Sequence, residues 1–156
     1  MLKAGDVAPD VELRDQSGTI VRLSDLLKTG PVVLFFYPAA LSAGCTAESC
    51  RFRDLGADFA KLGAQRLGIS LDSVETQKAF ADRHGFDYPL LSDSDGAVAD
   101  AYGVRRRLGP ASIRRATFVI GADGVVIDVV KSELRMEKHA DDALAILREH
   151  SPSTPT

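Results

Sequence analysis

Two rhythms of apolar residues alternate along this chain, and the points where one gives way to the other mark its elements. Val32-Val33-Leu34-Phe35-Phe36 is short, continuous and rich in β-branched and aromatic residues, which predicts a strand buried on both faces. Residues 66–71, Leu90-Leu91-Ser92, residues 117–120 and residues 125–130 predict further strands, the last two joined by the turn Gly121-Ala122-Asp123-Gly124. Between these runs the period lengthens. Phe52, Leu55, Phe59 and Leu62 recur at three- and four-residue steps, predicting one amphipathic helix over 46–62. Ser73 reads as the cap of a second helix that Gly85 ends. A short helix is expected through Tyr102 after the turn Asp93-Ser94-Asp95-Gly96, and Ala143, Leu144 and Leu147 mark a last one over 140–150. At the start, residues 11–13 and 19–23 flank Asp15-Gln16-Ser17-Gly18 as a β-hairpin, and Ser24-Asp25-Leu26-Leu27 reads as one capped helical turn.

Strands alternating with helices, followed by a late hairpin and a terminal helix, imply an α/β sandwich with a central mixed sheet. The order β-α-β-α-β-β-α behind an N-terminal β-hairpin extension is that of a thioredoxin-like core. One domain is expected over 1–150, with 151–156 as a disordered polar tail. An apolar fraction of 45% and a charged fraction of 26% suit an ordinary globular chain of 156 residues. The net charge of −3 gives no reason to expect nucleic acid or an anionic membrane as partner. Arg105-Arg106-Arg107 is too short to change that and reads as a solvated loop. The first residues lack the apolar core of a signal peptide, and no run approaches a membrane span. The expected compartment is therefore the cytoplasm, where thiols stay reduced and a cysteine pair is more often catalytic or metal-binding than a staple.

Both cysteines, Cys45 and Cys50, lie just beyond the central strand. A strand, a turn and a helix would place Cys45 at a helix N-terminus, where unpaired N–H groups and the helix dipole favour a thiolate. The chain contains no Asn, so a Cys-His-Asn protease site is excluded. His84, His139 and His150 lie far from the cysteines in sequence, which disfavours zinc. Spacing then separates two redox mechanisms. Helical residues three apart have Cα atoms about 5 Å apart, within disulfide reach, whereas residues five apart stand about 8.7 Å apart. A Cys45–Cys50 bridge therefore requires the first helical turns to unwind. Such a pair suits an enzyme whose first step needs a folded pocket around a lone thiolate: oxidation of Cys45 by a peroxide to sulfenic acid, then condensation with Cys50. A general thiol–disulfide oxidoreductase and a non-enzymatic binding module on the same scaffold remain as alternatives.

Pro38, Ser42 and Cys45 match the P-x-x-x-[T/S]-x-x-C motif of peroxiredoxins, and Cys50 with Arg51-Phe52-Arg53-Asp54 resembles the peroxiredoxin Q, or bacterioferritin comigratory protein, branch. The resemblance extends through Gly5-Asp6-Val7-Ala8-Pro9-Asp10, Leu67-Gly68-Ile69-Ser70, Tyr88-Pro89-Leu90-Leu91-Ser92-Asp93 and Arg115-Ala116-Thr117-Phe118-Val119-Ile120. It implies a thiol peroxidase acting on hydrogen peroxide and organic hydroperoxides without metal, haem or flavin. Cys45 would be the peroxidatic nucleophile and Cys50 the resolving thiol, with a thioredoxin-type dithiol as reductant. Arg115 would hold the thiolate and polarise the peroxide, and Ser42 would hydrogen-bond a peroxide oxygen. Backbone N–H groups near Gly44 would support developing charge, Pro38 would shield the sulfur, and Tyr37 would form a pocket wall. A monomer, or at most a weak dimer, is expected. Ser42-Ala43-Gly44-Cys45 departs from the usual Thr-Pro-Gly-Cys, keeping the hydroxyl but losing a methyl and a rigid proline.

Overall fold

A computed structural model describes residues 1–106 and 113–150; Arg107 and the expected tail at 151–156 lie outside the described residues. Seven strands form one mixed sheet in the order β2-β1-β5-β4-β3-β6-β7. The central strand β3 (Val32–Phe36) pairs in parallel with β4 (Gln65–Ser70), which pairs in parallel with β5 (Leu90–Ser92). On its other side β3 runs antiparallel to β6 (Ala116–Ile120), and β6 to β7 (Val126–Lys131). The hairpin β1 (Glu12–Arg14) and β2 (Ile20–Arg22) joins the far edge through an antiparallel contact of Arg14 with Ser92. The result is the expected thioredoxin-like α/β sandwich, with the strand expected at Leu90-Leu91-Ser92 present as β5 and the short helix expected through Tyr102 following it.

Every residue of β3 is buried because each face meets its own core. Val33 and Phe35 point to one side and pack with residues of α2 (Ala43–Asp54), α3 (Gly56–Lys61), α4 (Val74–His84) and α6 (Met136–His150). Val32, Leu34 and Phe36 point to the other, against residues of α1 (Leu23–Leu27) and α5 (Ala97–Tyr102). The period of two along a strand turns one apolar run into two cores. No helix among the described residues is long and apolar enough to cross a membrane.

Three boundaries differ from expectation, each for a tertiary reason. The single helix expected over 46–62 is broken at Leu55–Gly56. There the Arg66 side chain donates to the Phe52 carbonyl at 2.8 Å and lies about where a Gly56 side chain would begin, 3.0 Å from its Cβ position. The start of α1 is not capped by Ser24 itself. Asp10, fourteen residues upstream, accepts the Ser24 N–H at 2.9 Å. Helix α6 begins at Met136, four residues before its expected start, and that extra turn carries Met136 and His139.

Candidate active site

The turn after β3 delivers the chain into α2 with Ser42 as N-cap, its hydroxyl accepting the Cys45 N–H at 3.4 Å. Two neighbouring features hold this loop. Asp72, just past β4, accepts the Ala40 N–H at 2.7 Å, and Leu41 adopts a left-handed backbone with φ of 68°. A non-glycine residue in that region stores strain, which persists only where surrounding contacts enforce it.

Cys45 occupies the first turn of α2 and is completely buried. Across the sheet, at the start of β6, Arg115 points back at it: Nη2 donates to Cys45 Sγ at 3.4 Å and Nη1 to Glu48 Oε1 at 2.9 Å. Arg114 next door is exposed while Arg115 is buried, so the alternation of the strand separates the solvated arginine from the one aimed inward. Glu133 supports Arg115 from the backbone side, accepting its N–H at 3.1 Å while also holding Arg106 at 2.9 Å. Arg115 Nε is buried and unpaired among the described residues, leaving one donor uncommitted.

Glu48 is fully buried, and burial pushes its carboxyl up to about 8 against the pull of the Arg115 guanidinium. Cys45 and Glu48 share that one cation. A neutral carboxyl leaves the guanidinium to the sulfur, whereas two full anions would divide it. Behind Glu48 stands His139, also fully buried, with Nδ1 at 3.6 Å from Glu48 Oε2 and 2.8 Å from the Thr117 hydroxyl. Its Nε2 lies 2.7 Å from the Ser132 carbonyl, which can only accept, so Nε2 carries a hydrogen. Burial holds this imidazole below its ordinary value; the neutral ring then accepts the Thr117 hydroxyl at Nδ1.

The other expected site residues are dispersed around this centre. Gly44 is needed for close approach: a Cβ there would stand 3.3 Å from Arg115 Nη2 and 3.5 Å from the Met136 thioether. Pro38 lies half-buried in the β3–α2 loop. The Ser42 hydroxyl donates to the Ala39 carbonyl at 2.9 Å as well as capping the helix, so its proton is committed and only acceptor capacity remains for a substrate. Tyr37 corrects an expectation. Rather than a pocket wall it is a core residue, fully buried, packed on Phe35 and Phe80, with its hydroxyl donated to Gln77. Cys50 sits two turns along the same unbroken helix, half-buried, and burial pushes its thiol up. Both thiols are free. Among the described residues no three His, Cys, Asp or Glu side chains gather as a metal site.

The AhpC/TSA family model matches residues 4–129. The chain belongs to that family. A peroxidoxin of Mycobacterium tuberculosis, BcpB, has a crystal structure that superimposes with a TM-score of 0.91 at 54% identity, covering 96% of this chain and 98% of that one. The chloroplastic peroxiredoxin Q of Sedum lineare is 41% identical over 92% of this chain and 77% of its own length. Peroxiredoxin Q of Xanthomonas campestris gives a TM-score of 0.83 at 33% identity, covering 90% of this chain and 91% of its own.

Within this peroxiredoxin fold, Glu48, His139 and Thr117 are the residues that sequence reasoning passed over. Glu48 did leave a signal. It lies three residues after Cys45 and four before Phe52, so a carboxylate interrupts the apolar stripe that the helical period defines. His139 left none, because its role depends on a helical turn and a sheet neighbour that no local pattern announces.

Proposed function

We propose that this thiol-dependent peroxidase works through a Cys45 sulfenic acid and an intramolecular Cys45–Cys50 disulfide. The observation that carries the reading is the buried Cys45 sulfur in the first turn of α2 with the Arg115 guanidinium 3.4 Å away. The always-charged guanidinium stabilises the attacking thiolate, and its uncommitted Nε–H offers a donor to a peroxide oxygen as negative charge builds there. The thiolate attacks one peroxide oxygen and the O–O bond breaks. Cys45 becomes S–OH, and the leaving oxygen takes up a proton as water or an alcohol. The Ser42 hydroxyl accepts a hydrogen bond from the peroxide, the N–H groups at Gly44 and Cys45 add the field of the helix start, and Pro38 limits water at the sulfur.

Resolution then demands motion. Both cysteines belong to one continuous helix, at a spacing of about 8.7 Å between Cα atoms, beyond the roughly 7 Å that a disulfide tolerates. While α2 stands, Cys50 is both out of reach and held toward its protonated form. Unwinding exposes Cys50, whose sulfur attacks the sulfenic sulfur and expels water. A thioredoxin-type dithiol of the cytoplasm then reduces the disulfide, returning two thiols, and the chain acts on hydrogen peroxide and organic hydroperoxides as a monomer or weak dimer.

Replacement of the two thiols separates the steps. Cys45→Ser should abolish peroxide consumption, and substantial turnover in that variant sinks the assignment. Cys50→Ser should undergo one oxidation and stall with thioredoxin, with sulfenic acid at Cys45 found by mass spectrometry. Full turnover of Cys50→Ser would instead mean that an external thiol resolves Cys45.

A further inference from the structure

If the disulfide forms only when α2 unwinds, the contacts that hold α2 down just before Cys50 govern the second chemical step. They are unequally placed. The first two turns are held by the Ser42 cap and by the contacts of Cys45 and Glu48 with Arg115. The later turns are anchored to the body at four points, one of them the Arg51–Asp141 ion pair at 2.9 Å, which lies past Cys50. The Tyr88 hydroxyl donates to the Ser49 carbonyl at 2.7 Å, Arg66 Nη1 donates to the Phe52 carbonyl at 2.8 Å, and Arg53 Nη1 donates to the His84 carbonyl at 2.7 Å. Only the first of these touches the helix ahead of Cys50. The Ser49 hydroxyl itself is buried without a partner among the described residues, so the side chain adds no hydrogen bond of its own.

Tyr88 is a fixed post. Gln16, in the turn of the N-terminal hairpin, donates to the Tyr88 carbonyl at 3.0 Å and accepts the Leu90 N–H at 2.8 Å, clamping the chain on both sides of Pro89. The Arg66 guanidinium lies 4.9 Å over the Tyr88 ring, and Phe86 and Phe35 pack against it at 5.5 and 5.8 Å between ring centres. Burial keeps the phenol far above its ordinary range, so the hydroxyl remains a donor at any physiological pH. Arg66 serves both the post and the next anchor, which sets the rigid limit of α2 at Phe52, past Cys50.

We propose that Tyr88 is a latch on the unwinding of residues 43–50, a positioning residue for disulfide formation that acts through the Ser49 carbonyl. The proposal rests on the Cys45–Cys50 reading above. The latch lengthens the life of the sulfenic acid, and with it the chance that a second peroxide oxidises Cys45 to sulfinic acid.

Tyr88→Phe removes the hydroxyl and keeps the ring. Stopped-flow mixing with hydrogen peroxide should show an unchanged first oxidation and a five- to tenfold faster disulfide step, tenfold being about 1.4 kcal/mol. The peroxide concentration that converts half of Cys45 to sulfinic acid should rise by the same factor. In the reduced protein, hydrogen exchange of amides 46–50 should accelerate while that of β3 and β6 does not. Gln16→Ala, which loosens the post without touching α2, should shift both readouts two- to threefold in the same direction. A disulfide step that is unchanged or slower in Tyr88→Phe, with exchange also unchanged, overturns the latch. Absence of any Cys45–Cys50 disulfide in the wild type overturns the reaction reading instead, and the exchange measurement still judges the latch.

Discussion

Two helices of this protein begin in the same way and do entirely different things. Ser42 caps α2 and Ser73 caps α4, each following a parallel neighbour in the sheet, and each hydroxyl accepts the N–H three residues on, from Cys45 at 3.4 Å and from Thr76 at 3.2 Å. Asp72 even ties the two loops together, bonding the Ala40 N–H and the Ser70 hydroxyl with one carboxylate oxygen. At α4 the hydroxyl of Ser73 donates to Thr76 on a partly exposed turn, and among the described residues no arginine side chain bonds to that start. At α2 the equivalent position is buried and faces Arg115 and Glu48. A helix start with its dipole and free N–H groups is therefore not a site by itself. The cation delivered from β6, and the carboxyl that shares it, make one of the two starts reactive.

That contrast can be attacked from its most costly feature downward. Glu48 is the carboxyl that the α2 start must bury. Its carboxyl is raised from 4.5 to about 8, so the stability it contributes is complete below pH 4.5, falls as pH rises through 8 and is flat beyond. His139 works in the opposite sense: lowered by burial, it costs stability as pH drops below 6.5. Glu48→Gln abolishes only the first dependence. Urea unfolding across pH 5 to 8 should thus show the wild type losing ground steadily to the variant, and a pH-independent gap between them would refute the buried-carboxyl account.

Arg115→Leu tests the second feature by making the α2 start resemble that of α4. A hydrogen bond to a charged group contributes about 1.5–3 kcal/mol, so peroxide oxidation of Cys45 should slow roughly ten- to a hundredfold. A change below twofold would mean that the helix start alone activates the sulfur. The caps give the smallest and most direct comparison. Ser42→Ala and Ser73→Ala should each lower unfolding stability by about 1 kcal/mol. Only Ser42→Ala should also slow the peroxide step, by about tenfold or 1.4 kcal/mol. Equal kinetics in the two variants would remove Ser42 from the chemistry and leave it a cap.

Much of this was legible in residue order, and the reason differs from element to element. The β3 run, the Ser73 cap and the Gly85 stop are local signals, and the structure places those elements where the patterns put them. The break at Gly56 was not legible, because it is made by Arg66 reaching over from β4. The extra turn of α6 was missed because Met136-Glu137-Lys138 carries no apolar period until the helix is docked on the sheet. Tyr37 shows the opposite error: its place beside the cysteine loop suggested a wall, while its strand position turns the ring into the core.

By itself the sequence determined the strand and helix alphabet, the cysteine pair five residues apart on one helix, and so the need to unwind before a disulfide can form. These follow from backbone geometry and short-range periodicity, which depend on neighbours in the chain. Arg115 was already singled out by its match to the family pattern; only the tertiary structure decided that Glu48 shares it, that His139 stands behind Glu48, and that Tyr88 pins the helix ahead of Cys50. Those contacts join residues about forty to ninety positions apart in the chain, and their energies come from burial, which exists only once the sheet has brought them together.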